Sequence, residues 1–198
     1  TPPVPANPVT GRATPASLDA VHVVRYRVNS ADPKPARAVL VLMPGFLGGA
    51  GTFDALARAV VARSTADAPL EAWAIDRRAN ALEDHRGIDA AVDAGNADVL
   101  TSYYFEKQAL DGETFAGFER QEDVAFESEW GVVSTLADLR AVLQLLPEAE
   151  QRARVVLAGH SLGATLVAQY AAWDFDGAAG ADALAGLITA AVVIPKAL

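Results

Sequence analysis

Gly159-His160-Ser161-Leu162-Gly163 is the segment of this chain whose residue types and spacing suit nucleophilic catalysis. A serine hydroxyl attacks an acyl carbon effectively only when a neighbouring base activates it and donors receive the negative charge it creates. Glycines two residues before and two after the serine permit a turn too sharp for side chains at those positions. Such a turn holds Ser161 out past a strand end and at the start of a helix, whose N-terminus favours negative charge. Five residues alone would equally fit a glycine-flanked turn with an ordinary helix-capping serine. Context separates the two readings. The apolar run Val155-Val156-Leu157-Ala158 leads in, and a helix-forming run from Leu162 leads out. That is the order of a nucleophile elbow, with Gly159 and Gly163 as its glycines.

A reacting serine also needs an oxyanion hole. Pro44-Gly45-Phe46-Leu47-Gly48-Gly49 follows the apolar run over residues 38–43, and its glycines let backbone N–H groups turn toward a sheet edge. The expected donors are the N–H of Leu162, directly after the serine, and the N–H of Phe46. A glycine-rich turn entering the next helix is the plainer reading of this loop. Its place after a buried strand and ahead of the elbow favours the oxyanion role.

The elements that would position these residues follow from hydrophobic periodicity. Residues 21–28 partly alternate apolar with polar, as a half-exposed strand does. Residues 38–43 are continuously apolar, as in a strand covered on both faces. Residues 52–63 place Phe53, Leu56, Ala57, Val60 and Val61 at helical spacing. Further strands are expected over 70–75, 154–158 and 187–194, and helices over 135–146 and 162–173. Buried strands alternating with helices imply an α/β fold, a mostly parallel sheet flanked by helices. Residues 77–147 are far longer than one crossover requires. They carry Tyr103, Tyr104, Phe105, Phe115, Phe118, Phe126 and Trp130, and read as a helical excursion. Extra packing is the favoured reading of those aromatics over a lid or pocket wall.

The segments LVLMPGFLGG, WAIDRR and VVLAGHSLGA together resemble the α/β-hydrolase superfamily, serine esterase/lipase-like, over residues 38–194. The resemblance covers the N-terminal, nucleophile-bearing portion of that fold. It implies cleavage of an ester or related acyl bond through an acyl-enzyme on Ser161. Relatives usually have His-Gly where this chain has Pro44-Gly45, a change that a backbone donor tolerates. Asp76 falls where relatives often have a structural aspartate that ties loops together. The family places an acid and then a histidine after the serine. Here His22, His85 and His160 all precede Ser161. His160 matches an elbow histidine that points away from the serine, His22 belongs to the first strand, and His85 reads as a solvated loop residue. Asp174, Asp176 and Asp182 come before the last strand, too early for the family's acid. The resemblance therefore implies a fold incomplete at its C-terminus. A C-terminal polypeptide segment or chain is expected to pair beside residues 187–194 and bring the acid and the histidine.

Composition bounds the alternatives. The chain has 198 residues, 16 Lys+Arg against 25 Asp+Glu, a formal charge of −9 and no Cys. The acidic balance argues against nucleic acid as a partner. The missing cysteines exclude disulfides, thiolate metal sites and a cysteine nucleophile. No apolar run reaches the ~20 residues of a transmembrane segment. No metal-ligand or nucleotide-binding spacing is present, and no cofactor is implied. Residues 1–17 hold Pro2, Pro3, Pro5, Pro8 and Pro15 and read as an extended arm or linker before a core over residues 18–198. Such a start fits an exported, processed chain (periplasmic or extracellular) as well as a cytoplasmic one. Arg77, Arg78, Glu83 and Asp84 lie on a loop near the expected active edge, where surface charge is the default reading. The partner expected besides the completing segment is a small-molecule acyl substrate. A non-catalytic hydrolase-like binding module and an acyltransferase are the alternatives.

Overall fold

Ala38–Met43 is apolar throughout because both of its faces are covered. Val39, Val41 and Met43 face one hydrophobic layer, and Leu42 with Leu40 faces another. The computed structural model describes residues 1–29 and 34–190. In chain order the elements are His22–Tyr26 (β1), Ala38–Met43 (β2), Asp54–Val61 (α1), Leu70–Asp76 (β3), Arg86–Ala94 (α2), Asp98–Tyr104 (α3) and Val132–Leu143 (α4). Glu148–Arg154 (α5), Val155–His160 (β4), Leu162–Ala172 (α6), the short pair Asp174–Phe175 (β5) and Ala178–Ala179 (β6), and Gly186–Ala190 (β7) follow.

The main sheet has the order β1-β3-β2-β4-β7, with β1 antiparallel to β3 and the remaining pairs parallel. Its two faces are packed differently. On one face Leu42, Ala72, Ala74 and Ala158 meet Ala50, Phe53 and Ala57. Small side chains there let α1 approach the strands closely. On the other face Val41, Met43, Trp73, Ile75, Val155 and Leu157 pack against Leu136, Leu139, Val142 and Leu143 of α4 and Leu166, Val167 and Tyr170 of α6. The fold is thus α/β, a mostly parallel sheet with helices on both faces. From β2 the chain crosses to β3 on one side, then returns past β2 to β4 on the other. The winding reverses between β2 and β4, a topological switch point, and open α/β sheets bind ligands outside the strand carboxyl ends there.

Several element bounds differ from the sequence expectation. The first strand narrows to His22–Tyr26, and the first helix starts as a 3-10 turn at Ala50–Phe53 before Asp54–Val61. The helix expected over 135–146 runs three residues earlier, because Gly131 is extended and its carbonyl accepts the Ser134 and Thr135 hydroxyls. Of the expected strand over 187–194, residues 187–190 belong to β7; the rest lies outside the described residues.

The excursion contains α2, α3 and α4, and α4 is the crossover helix of the sheet. Tyr103, Tyr104, Phe115 and Phe118 form a chain of tilted and edge-on ring pairs 5.0–6.0 Å apart. The Tyr103 hydroxyl donates to Asp84 Oδ2 at 2.7 Å, tying this cluster to the loop before α2. The proline-rich arm is fastened, unlike a free linker. Asn7 Nδ2 donates to Ala125 O and Ser128 Oγ, and Trp130 Nε1 donates to Thr14 Oγ1. Its prolines forgo backbone hydrogen bonds, so side chains do the fastening. No helix among the described residues is long and apolar enough to cross a membrane.

Candidate active site

β4 ends at His160, and α6 begins at Leu162, so Ser161 alone makes the corner between them. Its backbone sits at φ 57° and ψ −122°, a region that L side chains rarely adopt. Strain of about 1–3 kcal/mol persists at such a residue only when its surroundings fix it. Three contacts fix it here. The Ser161 N–H donates to Ala190 O of β7 at 2.9 Å, and the Ser161 carbonyl accepts the Ala164 N–H at 3.0 Å. The glycines supply the third. A Cβ on Gly159 would collide with the Gly163 carbonyl, and one on Gly163 with the carbonyl of Met43 at the end of β2. Both expected elbow glycines are therefore required by backbone packing.

The same packing brings the Pro44–Gly49 loop to the serine. Met43 is in register with Gly159 on the neighbouring strand, so both chain segments leave the sheet side by side. Gly45 lies against Ser161 so closely that a Cβ would stand 2.9 Å from the Ser161 Cβ. Phe46 and Leu47 form the exposed tip of this loop, and Leu47 adopts φ 57°. Leu162 opens α6, so its N–H is one of the helix donors with no intrahelical acceptor. Serine, Leu162 and the Phe46 loop thus share one corner of the sheet edge.

Two consecutive residues at the end of β3 hold that loop from the other side. Asp76 Oδ1 accepts the Ala50 N–H at 2.5 Å, while Arg77 Nη2 donates to the Gly45 carbonyl at 2.8 Å. Gly49 leaves room for the Asp76 carboxylate, which a Cβ would meet at 2.6 Å. Asn80 Oδ1 accepts the Arg77 N–H, and Asn80 Nδ2 donates to Glu83 Oε1. Arg77 Nε is buried without a hydrogen-bond partner among the described residues, which costs roughly 1–3 kcal/mol. Burial pulls the Arg77 guanidinium below its ordinary value, and the Glu83 carboxylate offsets part of this. A cavity of about 250 Å³ opens beside the loop, lined among others by Phe46, Leu47, Arg77, Trp130, Ser134 and Thr135. Trp130 is the excursion aromatic that lines this cavity; Ser161 is not part of its lining.

Arg78 corrects the surface-charge reading. It is 3% exposed and bonds Asp138 through Nε and Nη2, Asp19 through Nη1, and Thr1 Oγ1 and Pro2 O through Nη2. Its hydrogen bond with Asp138, backed by the nearby carboxylate charges, raises the guanidinium pKa despite burial. The signal was available in the sequence: Asp138 interrupts the apolar face made by Leu136, Leu139 and Val142. A carboxylate at such a position needs a buried cation.

His160, the exposed last residue of β4, adjoins Ser161 in the chain, and its ring makes no hydrogen bond among the described residues. The other histidines and the later aspartates lie elsewhere. The Ser161 hydroxyl makes no hydrogen bond to a histidine or carboxylate among the described residues. His22 is in register with Asp76 and sits three strands from β4, roughly 14 Å at the usual strand spacing. His85 Nε2 pairs with Glu83 Oε2 at 2.8 Å on the surface. Asp174 follows the far end of α6, about 16 Å from the serine along an 11-residue helix. Asp174 and Asp182 accept backbone N–H groups of Gly177 and Ala179, and Asp176 meets Arg140. The chain matches no protein-family model and no curated protein. Its chemistry has to be read from its own residues.

Proposed function

We propose that this chain carries the nucleophile of a serine hydrolase of the α/β-hydrolase type, acting on an ester or related acyl bond. One observation carries the reading: Ser161 stands at φ 57° in a glycine-bounded strand-to-helix corner, at the switch point, against Gly45. An ordinary capping serine has no need of that strain. Ser161 Oγ attacks the acyl carbon while its proton passes to a base, and the N–H groups of Leu162 and Phe46 receive the oxyanion. The base returns the proton to the departing alcohol, leaving the acyl group on Ser161, and water then repeats the sequence to release the acid. An acceptor other than water would make the same site an acyltransferase.

The acid and histidine come, in this reading, from a C-terminal polypeptide segment or chain outside this sequence. β7 supports it. It lies at the edge of the sheet among the described residues, and Leu187 and Ile188, on opposite faces, are both exposed. An uncovered apolar edge strand is an association hazard that a further segment would remove. The reading of a non-catalytic binding module draws on the Ser161 hydroxyl, which has no hydrogen-bond partner among the described residues. A fluorophosphonate probe decides between them in the full-length protein. The hydrolase reading expects covalent labelling that Ser161→Ala abolishes. Labelling that persists in that variant dismisses Ser161 as the nucleophile, and no labelling of the wild type favours the binding module.

A further inference from the structure

We infer that Arg77 is a positioning residue for the oxyanion hole, setting the direction of the Phe46 N–H by holding the carbonyl of Gly45. The inference rests on the hydrolase reading and deepens it. The Gly45 C=O and the Phe46 N–H belong to one planar trans peptide and point in opposite directions. Whatever fixes the oxygen therefore aims the hydrogen. Gly45 has no side chain and is followed by an exposed two-residue tip, so this peptide can rotate at little cost. A rotated peptide would turn its carbonyl toward the serine and take the donor away.

Two donors reach the Gly45 oxygen. The Gly48 N–H at 3.2 Å lies inside the same loop and can move with it. Arg77 Nη2, at 2.8 Å, comes from the end of β3 and is anchored to the sheet. Asp76, one residue earlier, fixes the loop's far end through Ala50, leaving the stretch between as the part that Arg77 controls. Arg77 makes no ion pair with a carboxylate among the described residues, and its Nε goes without an acceptor. A guanidinium placed for stability would be saturated. This one is spent on a single carbonyl beside the nucleophile.

The test measures fluorophosphonate labelling of Ser161 and turnover of p-nitrophenyl acetate in the full-length protein, for wild type, Arg77→Ala, Arg77→Met and Arg77→Lys. Removing an oxyanion donor outright costs about 10²–10³ in kcat, so releasing one should slow labelling about tenfold or more. Arg77→Ala and Arg77→Met are expected to lose kcat with KM nearly kept. Arg77→Lys, which can still donate to Gly45, should recover a large part of the loss. If Arg77→Ala does not fold, the Lys and Met variants, whose stems fill the same space, decide alone. Equal labelling in wild type and Arg77→Met overturns the inference, as does a loss confined to KM or a Lys variant no better than Met. Those outcomes leave Ser161 as the nucleophile. A wild type that is not labelled removes the hydrolase reading itself and the positioning role with it.

Discussion

Arg77 and Arg78 are neighbours in the chain and opposites in the structure. Arg78 turns inward between the N-terminal arm and α4, and every nitrogen of its guanidinium has an acceptor. Arg77 turns to the Gly45 carbonyl beside Ser161, and among the described residues its side chain bonds nothing else and leaves Nε unpaired. Arg77 itself is extended, at φ −74° and ψ 164°, and a 3-10 turn starts at Arg78, so one peptide sends the two side chains to different places. Native interiors satisfy nearly all buried polar groups, and exceptions call for an explanation. The region around Arg78 follows the rule because it holds the fold together. The region around Ser161 departs from it in the Arg77 Nε, which has no partner among the described residues, and adds a strained φ at Ser161, a combination that fits the proposed nucleophile.

The strongest way to break this contrast is Arg78→Ala. It leaves Asp138 buried on the apolar face of α4 without its cation and releases Thr1, Pro2 and Asp19. Removing one partner of a buried pair typically costs about 3–5 kcal/mol. Urea denaturation should show a loss of that size, while the molecules still folded keep Ser161 labelling within a few-fold of wild type. A loss below about 1 kcal/mol would mean that Arg78 is no structural node. A collapse of labelling at full stability would mean that the two arginines share one role.

The α/β class and the approximate strand and helix positions were legible in the sequence because continuous apolar runs and helical spacing report burial directly. The strand order was not, since burial says nothing of which strand pairs with which. Gly159, Ser161 and Gly163 were legible for a related reason: their types answer to backbone collisions, which are local. The roles of Arg77 and Arg78 were not. A charged residue after a strand reads as solvated until its partner is known, and the partners lie at Gly45 and Asp138, 32 and 60 positions away. The fastening of the arm was hidden for the same reason. Its prolines exclude regular structure, but its anchors are side-chain bonds at Asn7, Arg12 and Thr14 with a segment more than a hundred residues on.

A finer probe asks whether the strain at Ser161 is real. Ser161→Ala removes the hydroxyl and keeps a Cβ at φ 57°, whereas Ser161→Gly removes the Cβ as well. Glycine adopts positive φ freely but loses more backbone freedom on folding, so the two effects partly offset. The Gly variant should be more stable than the Ala variant by about 2 kcal/mol, and neither should be labelled. At an unstrained helix N-cap glycine already leads alanine by roughly 0.5–1 kcal/mol, so strain is the excess over that. A lead of about 1 kcal/mol or less, or an Ala variant that is the more stable, would remove strain from the contrast and leave the Arg77 Nε, unpaired among the described residues.

The smallest effect is expected at His85, and its smallness is informative. His85 lies seven residues beyond Arg78, after the same strand, and is the histidine nearest that loop in sequence. Its Nε2 is engaged with Glu83, and both side chains are about half exposed, an arrangement that usually contributes less than 1 kcal/mol. Glu83 is tied to Asn80, and Asp84 accepts the Tyr103 hydroxyl, so this stretch is held by its own neighbours and by the aromatic cluster of α3, with no hydrogen bond to Ser161. His85→Ala should therefore change the rate of Ser161 labelling by less than about twofold between pH 6 and pH 8, with little change in stability. A general base contributes on the order of 10²–10⁴ in rate, so the two readings of His85 are widely separated. A loss approaching that of Ser161→Ala, in a variant that melts like the wild type, would make His85 the base. The catalytic histidine would then lie on the same loop as Arg77 and Arg78, and no further segment would be needed to supply one.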